Sequence, residues 1–262
     1  MRKFWKKGFT LLLGTLLAVS LIGCGSSADG TGSTAGGSGT ANIVNIGVTG
    51  SLVSFNPFVM DMSEMNHYSS GLMFLPLVEL DQNLNFVPML ADSITTEDNL
   101  TFTVHIDDAA TWSDGTPVTT ADVEYTVRRL CSPVVANPYM MYYVFEGVDD
   151  ETGFVEENAD SVAGIRIVDD KTITFTVKSP MSLISFENAY ARYMHILPKH
   201  VIEKFSEAEL TTNEWFSHPD VVSGPYMVTD FDPEHYVSYT ANTKYFKGAP
   251  KIEKLNFKIV EG

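Results

Sequence analysis

The sequence predicts an α/β fold, and three segments carry that prediction. Apolar and polar residues alternate from Leu100 to Ile106 and again from Lys171 to Val177, which is the period of a strand with one buried face. From Thr119 to Leu130 the apolar residues recur instead at helical spacing. Because each of the two strands follows an acidic turn, we expect them to be neighbours in one antiparallel sheet.

A strand, a turn and a capped helix meet between Trp112 and Val123, in the run WSDGTPVTTADV. Asp114 and Gly115 favour a tight turn, because glycine tolerates a positive φ and the aspartate side chain can accept bonds from nearby amides. Thr119 is placed to cap the helix, with Asp122 completing a variant of the capping box. We interpret the segment as scaffold, with Trp112 packed inside, since it shows no catalytic chemistry.

The remaining elements are predicted from shorter patterns. Strands are expected at Ile43–Val48, at 237–239 and at 255–259, and Gly224–Pro225 marks a bend that leads into another strand. Leu72–Leu80 is expected to be helical or tightly turned around Pro76. Residues 182–205 are expected to form a helix that is interrupted at Pro198.

Composition limits the possible partners. With 44% hydrophobic residues in 262, the chain can bury a substantial core, and its net charge is −16. So acidic a chain lacks the basic surface that nucleic-acid binding requires. The two cysteines are Cys24 and Cys131, and the expected processing of Cys24 leaves Cys131 as a buried thiol without an intramolecular disulfide.

The first residues predict export and membrane attachment. Residues 1–23 have the basic start and apolar run of a signal peptide, and the run is short for a transmembrane helix. The end of the run, LIGC, resembles a bacterial lipobox, in which Cys24 becomes the lipid-modified first residue. Residues 24–41 then form a linker of Gly, Ser, Thr and Ala, which is expected to be a flexible tether on the outer face of the membrane.

Enzymatic signatures are missing from the sequence. It contains no G-x-S-x-G, H-E-x-x-H, P-loop or C-x-x-C motif. His195 and His200 are too far apart for one helical face, with Pro198 between them, so we interpret them as solvated or core histidines and not as zinc ligands. We therefore expect a binding protein without catalytic residues, metal or cofactor.

The run WSDGTPVTTADV closely resembles the signature of the extracytoplasmic solute-binding proteins of family 5, the peptide- and nickel-binding subunits of ABC importers. Further segments resemble motifs of that family in the same order: Ser54–Pro57, Pro88–Ser93, Ile196–Val201, Gly224–Tyr226 and Asn242–Pro250, where Phe246 replaces the usual tryptophan. The order and spacing of these motifs make the resemblance strong.

The resemblance implies an α/β periplasmic-binding-protein-like receptor of type II, of the large cluster C kind, with two lobes. It implies a discontinuous first lobe, 42–74 plus 199–262, and an inserted smaller domain, 75–198. Family members are considerably longer, so we expect the chain to end before the second ligand-binding lobe, either as a truncated fragment or as a natural short form.

The resemblance also implies a function: capture of oligopeptides or dipeptides outside the membrane and delivery to the permease subunits of an ABC importer. It places Asp61, Met62, Ser63 and Tyr139 at the ligand. A solvated loop at 61–63 and an aromatic side chain packed on the smaller lobe at Tyr139 are the structural alternatives. Two other functions stay open: a non-transport surface lipoprotein that mediates protein contacts, and a receptor for nickel chelates or oligosaccharides.

Overall fold

Two four-stranded sheets organise the computed structural model, which describes residues 42–260 apart from 51, 53, 62, 138–141 and 158. The strands are β1 (Ile43–Val48), β2 (Val78–Leu80), β3 (Phe86–Pro88), β4 (Ala91–Thr95), β5 (Thr101–Ile106), β6 (Ile165–Ile167), β7 (Thr172–Thr176), β8 (Tyr226–Asp232), β9 (Tyr236–Ala241) and β10 (Lys254–Ile259). The α-helices are α1 (Glu64–Gly71), α2 (Thr120–Leu130), α3 (Leu183–Phe186) and α4 (Lys199–Ile202), and a π-helical turn, Glu187–Ala191, follows α3. Two 3₁₀ turns are Ala208–Thr211 and Glu214–Ser217.

The first sheet has the order β1-β10-β9-β8 and confirms the strands predicted near both ends of the globular chain. β1 runs parallel to β10, whereas β10, β9 and β8 are antiparallel to their neighbours. One face is buried through Val237, Tyr239, Leu255 and Phe257. β1 lies at the edge of this sheet, and its Ile46 stays 41% exposed although it is paired with Phe257.

The second sheet has the order β4-β5-β7-β6, with every pair antiparallel. β5 and β7 are direct neighbours, so the predicted pairing of the two alternating strands is confirmed. Phe102 faces Phe175 across the pair and stacks on Phe186 with ring centroids 4.2 Å apart. These side chains are buried, because each strand presents every second residue to the core.

The sequence predicts that Leu72–Leu80 is helical or tightly turned around Pro76. The helical alternative is wrong, because the helix lies earlier, at α1, and the turn lies at 72–74, before Pro76. Leu72–Pro76 forms a turn and a buried extended link, and β2 then pairs with β3. The backbone bonds of the link are long-range: the Leu75 N–H donates to Ser223 Oγ, and the Leu77 N–H donates to the Ala191 carbonyl. Apolar side chains on all sides of the link mimic a buried helix, which local periodicity does not distinguish from an extended segment.

Residues 182–205 are helical only at their two ends. α3 and the π-helical turn end at Ala191, and α4 begins only after Pro198. Between them, the Ile196 N–H donates to the Leu75 carbonyl and the Leu197 N–H donates to Thr126 Oγ1. These tertiary hydrogen bonds replace the helical ones. The helix is therefore interrupted as predicted, but the interruption extends over more residues than Pro198 alone requires.

The capped helix α2 is confirmed, with Asp122 as its main capping group. The buried Asp122 carboxylate accepts from the backbone N–H groups of Thr119 and Lys199, both at 2.9 Å. The Thr119 hydroxyl donates more weakly to the same carboxylate, at 3.4 Å. Trp112 is fully buried beside it, and Gly115 has the positive φ, 93°, that the preceding turn requires.

The described residues between 42 and 260 form one compact unit, and the division into two lobes stays a prediction. Cys131 is a buried free cysteine, as predicted, and burial raises the pKa of its thiol to about 12. Within the part of the chain that the structure describes, no helix is both long and apolar enough to cross a bilayer.

Replacing Asp122 should destabilise the protein more than replacing Thr119. Asp122→Ala leaves two half-buried backbone donors without their acceptor, and we expect a loss of about 2 kcal/mol. Thr119→Ala should cost about 1 kcal/mol, as is usual for a lost N-cap. Urea denaturation measures both losses.

The matched control is Glu124→Ala on the same helix, which removes only the ion pair with Arg128 and should cost about 0.5 kcal/mol or less. A larger loss for Thr119→Ala than for Asp122→Ala would contradict the assignment.

Candidate functional site

An open, mainly apolar pocket of about 410 Å³ lies between α1 and the end of β1. We call it the α1–β1 pocket, and it is lined by Ile46, Gly47, Val48, Thr49, Glu64, Met65, Tyr68 and Phe257. Glu64 is the one charged residue among these lining residues. A concave apolar site with few polar groups is the usual form of a small-ligand pocket.

The topology of the first sheet explains the position of this pocket. β1 and β10 are parallel, and they end side by side at Val48 and Ile259. The carboxyl ends of parallel strands are where open α/β sheets commonly bind ligands. Tyr68, at 50% exposure, and Val260, at 47%, leave apolar surface exposed at the same end.

Two of the predicted ligand residues, Asp61 and Ser63, lie where α1 begins. Asp61 Oδ1 accepts from the Ser63 N–H at 2.9 Å and from Asn66 Nδ2 at 2.6 Å. Hydrogen bonds from the Ser63 side chain, then from the Ser63 N–H and from Asn66, lower the pKa of Asp61. Ser63 is the N-cap of α1, and its hydroxyl accepts from the Asn66 N–H at 3.4 Å. Both side chains thus help to start the helix that lines the pocket, and their contact with a ligand stays a prediction.

The other predicted positions, Met62, Tyr139 and Cys24, lie outside the described residues. A second pocket, of about 370 Å³, is lined by Tyr143, Val144, Asp150, Lys178, Ser179, Pro180 and Met181. An ion pair between Lys178 and Asp150 forms part of its wall. The α1–β1 pocket, with its single charged residue, is the better candidate for an apolar group.

Behind α1 lies a group of polar side chains that we call the histidine cluster: the buried His67, Arg192 and His195 and the half-buried Glu79. His67 Nδ1 is 3.1 Å from His195 Nε2, and His67 Nε2 is 2.6 Å from Glu79 Oε2. His195 Nδ1 is 2.8 Å from the Phe74 carbonyl oxygen. Arg192 Nε donates to Glu79 Oε1, so the cluster ties α1 to β2 and to the segment that follows the π-helical turn.

Burial and hydrogen bonding change the pKa values of two groups of the cluster, Glu79 and His195. Burial alone would raise the pKa of Glu79, but bonds from His67, the Leu80 N–H and Arg192 lower it to about 2. Burial, followed by repulsion from His67, lowers the pKa of His195 to about 3. Glu79 is therefore ionised and His195 neutral at pH 7.

Sequence reasoning missed this cluster because its members are far apart along the chain. His200 is the histidine nearest to His195 in sequence, but the partner of His195 in the structure is His67, and His200 contacts Asp114 at 2.9 Å. The one local signal is that His195 stands between apolar residues, which indicates a core histidine without naming a partner. Among the described residues, no group of three or more His, Cys, Asp or Glu side chains is arranged to hold a metal ion.

Comparison with known proteins identifies the family. The sequence model of the bacterial extracellular solute-binding proteins, family 5, middle region, matches residues 85–262, which is more than half of the chain. The periplasmic oligopeptide-binding protein of Escherichia coli is 28% identical over 188 residues. That match covers 69% of this chain and 32% of the relative, so the chain spans about a third of the length of this curated relative.

Solved structures show the same fold. OppA of Haemophilus influenzae in complex with RPPGFSPFR has a TM-score of 0.71 at 24% identity, covering 84% of this chain and 42% of that chain. NikZ of Campylobacter jejuni in complex with Ni(L-His) has a TM-score of 0.64 at 22% identity, covering 84% and 40%. The predicted α/β periplasmic-binding-protein-like fold class is confirmed, and likeness at this identity supports the fold alone.

Lowering the pH should destabilise the protein through His195. The unfolded chain binds a proton at a histidine near pH 6.5, but folded His195 does not bind one until about pH 3. Unfolding therefore takes up about one proton at His195 between these values, and stability falls by about 1.4 kcal/mol per pH unit from this group. His195→Gln, whose amide oxygen can still accept from His67, should remove this contribution and so reduce the slope by about 1.4 kcal/mol per pH unit.

Urea denaturation at several pH values between 6.5 and 4 measures the slope, and His218→Gln, at an exposed histidine, is the matched control. Equal slopes for the wild type and His195→Gln would contradict the account.

Proposed function

Because the chain belongs to family 5 of the bacterial extracellular solute-binding proteins, we propose that it binds oligopeptides or dipeptides outside the membrane for an ABC importer. The observation that carries this proposal is the α1–β1 pocket, a mainly apolar site at the carboxyl ends of two parallel strands. The name of the E. coli relative, an oligopeptide-binding protein, supports the choice of ligand class.

The pocket suits the side chain of a peptide bound in an extended form. Its volume, about 410 Å³, is at the lower end of the range for small-ligand pockets. In the described part of the chain, β1 pairs through its backbone with β10 on one side, so its other edge is available to an added strand. A peptide along that edge would gain main-chain bonds, while the pocket would take an alternate side chain.

The other parts of the proposal concern placement and partners. Lipidation of Cys24 would hold the protein on the outer face of the membrane, and residues 24–41 would act as the tether. The segments 42–74 and 199–262 would form one lobe and 75–198 the smaller domain. Permease subunits of the importer would receive the peptide. Asp61, Met62, Ser63 and Tyr139 remain the proposed ligand contacts from the family resemblance.

Calorimetric titration of the full-length protein tests the function. The panel consists of apolar and charged di- to pentapeptides, a nickel–histidine chelate and a maltooligosaccharide. We expect binding of peptides with an apolar or aromatic side chain. Tyr68→Ala should weaken that binding about tenfold, because it removes an aromatic wall of the pocket.

Ile184→Ala removes a similarly exposed apolar side chain outside the α1–β1 pocket, and it should leave the affinity unchanged. Binding of the nickel chelate or the oligosaccharide in place of every peptide would overturn the peptide assignment. Absence of all small-molecule binding would favour the alternative of a surface lipoprotein that contacts other proteins.

A further inference from the structure

We propose that His67 is a positioning residue, a doubly protonated imidazolium that clamps α1 between Glu79 and His195 and so holds the α1 wall of the α1–β1 pocket in place. The role assigned to that wall rests on the proposed peptide-binding function. The clamp itself is a property of the free protein and can be tested without a ligand.

One face of α1 lines the pocket, and the other packs against the histidine cluster. Glu64, Met65 and Tyr68 line the pocket, whereas His67 is buried and turned towards the cluster. The helix has only eight residues, which is too short to be stable by itself in water. Its orientation therefore depends on what its buried face contacts.

The hydrogen bonds assign the protons. The Phe74 carbonyl can only accept, so His195 Nδ1 donates to it, and the neutral His195 ring then offers Nε2 as an acceptor. His67 Nδ1 must therefore donate to His195. The ionised Glu79 carboxylate also only accepts, so His67 Nε2 donates as well. Both nitrogens of His67 carry a proton, and its ring carries the positive charge.

The alternative, with the charge on His195, is disfavoured by the surroundings of the two rings. His195 is fully buried, and its second contact is a neutral carbonyl. His67 lies directly against a carboxylate, with its ring centroid 4.8 Å from that of Tyr193 and 5.3 Å from that of Tyr68. A carboxylate and aromatic neighbours stabilise a cation.

The charged groups around His67 come from several elements, and their positive and negative charges are equal in number. β2 contributes Glu79, the segment after the π-helical turn contributes Arg192, and α1 itself contributes Glu64. Arg192 also lies over the Tyr193 ring and reaches towards Glu64, with Nη2 3.8 Å from Oε2. Two cations and two anions thus form one network that extends from the buried cluster to the pocket wall.

The link to the pocket runs through Tyr68 and Glu64. The Tyr68 ring lies beside the imidazolium, and burial followed by a hydrogen bond to Glu64 raises the pKa of the Tyr68 hydroxyl. If His67 loses its charge, the bond to Glu79 weakens and Tyr68 loses a cationic neighbour. α1 is then free to shift, and both pocket residues shift with it.

The first test is nitrogen NMR of the free full-length protein labelled at histidine. In the folded protein we expect one imidazole with both nitrogens protonated, which disappears in His67→Gln, and a second, that of His195, protonated at Nδ1 only. A His67 ring with a single protonated nitrogen would overturn the proposal. Because no ligand is used, this result is independent of whether the protein binds peptides.

The second test is amide hydrogen exchange. His67→Gln keeps one N–H donor but removes the charge, and we expect exchange in α1 to quicken at least tenfold while α2 is unchanged. His105→Gln is the matched control, because His105 also pairs with a carboxylate, Asp92 at 3.1 Å, but at the surface. Unchanged exchange in α1 would contradict the clamp.

Peptide titration then separates this inference from the proposed function. If the wild type binds peptides, His67→Gln should bind them at least tenfold more weakly, whereas His105→Gln should bind them normally. Equal affinity for His67→Gln and the wild type would overturn the positioning role. If the wild type binds no peptide, the proposed function fails, and the NMR and exchange results still decide the clamp.

If His67→Gln does not fold, the same NMR and exchange experiments are done with Glu79→Gln. Loss of the Glu79 charge should leave His67 with one protonated nitrogen and quicken exchange in α1 in the same way. A doubly protonated His67 in that variant would contradict the proton assignment.

Discussion

The candidate site depends on the hydrogen bonds that the Glu79 carboxylate accepts. It accepts from His67 on α1, from Arg192 after the π-helical turn and from the N–H of Leu80 in its own strand. His67 and Arg192 belong to segments that are separate from β2 in sequence, so one side chain fixes three parts of the chain against one another. Of these parts, α1 forms a wall of the α1–β1 pocket, and its position follows from this carboxylate.

Such a cluster is stable only if its charges are fully paired. Removing a carboxylate from water costs several kcal/mol, and only good geometry with additional hydrogen bonds offsets that cost. Glu79 meets this condition through its three donors, and His195 meets it by remaining neutral between a carbonyl and a cation. The arrangement specifies one orientation of α1, because any shift of the helix would leave a buried charge without its partner.

The parts of the fold that were predictable from sequence are those that local interactions determine. β5, β7 and the cap of α2 follow from alternation and from neighbouring polar groups, and the fold class follows from the order of the family motifs. The extended link before β2 resembles a helix in its sequence pattern, because its extended form depends on distant partners, such as Ser223, that bond to its backbone. The pocket and the histidine cluster were missed for the same reason: each combines segments from different parts of the chain.

The central claim is that α1, held by Glu79 and His67, forms with β1 the place where a peptide side chain binds. A crystal structure of the full-length protein with an apolar peptide tests it most directly. The account predicts an extended peptide along β1, with one side chain between Val48 and Tyr68 and the His67–Glu79 contact intact. A peptide bound elsewhere, with the α1–β1 pocket empty, would contradict it.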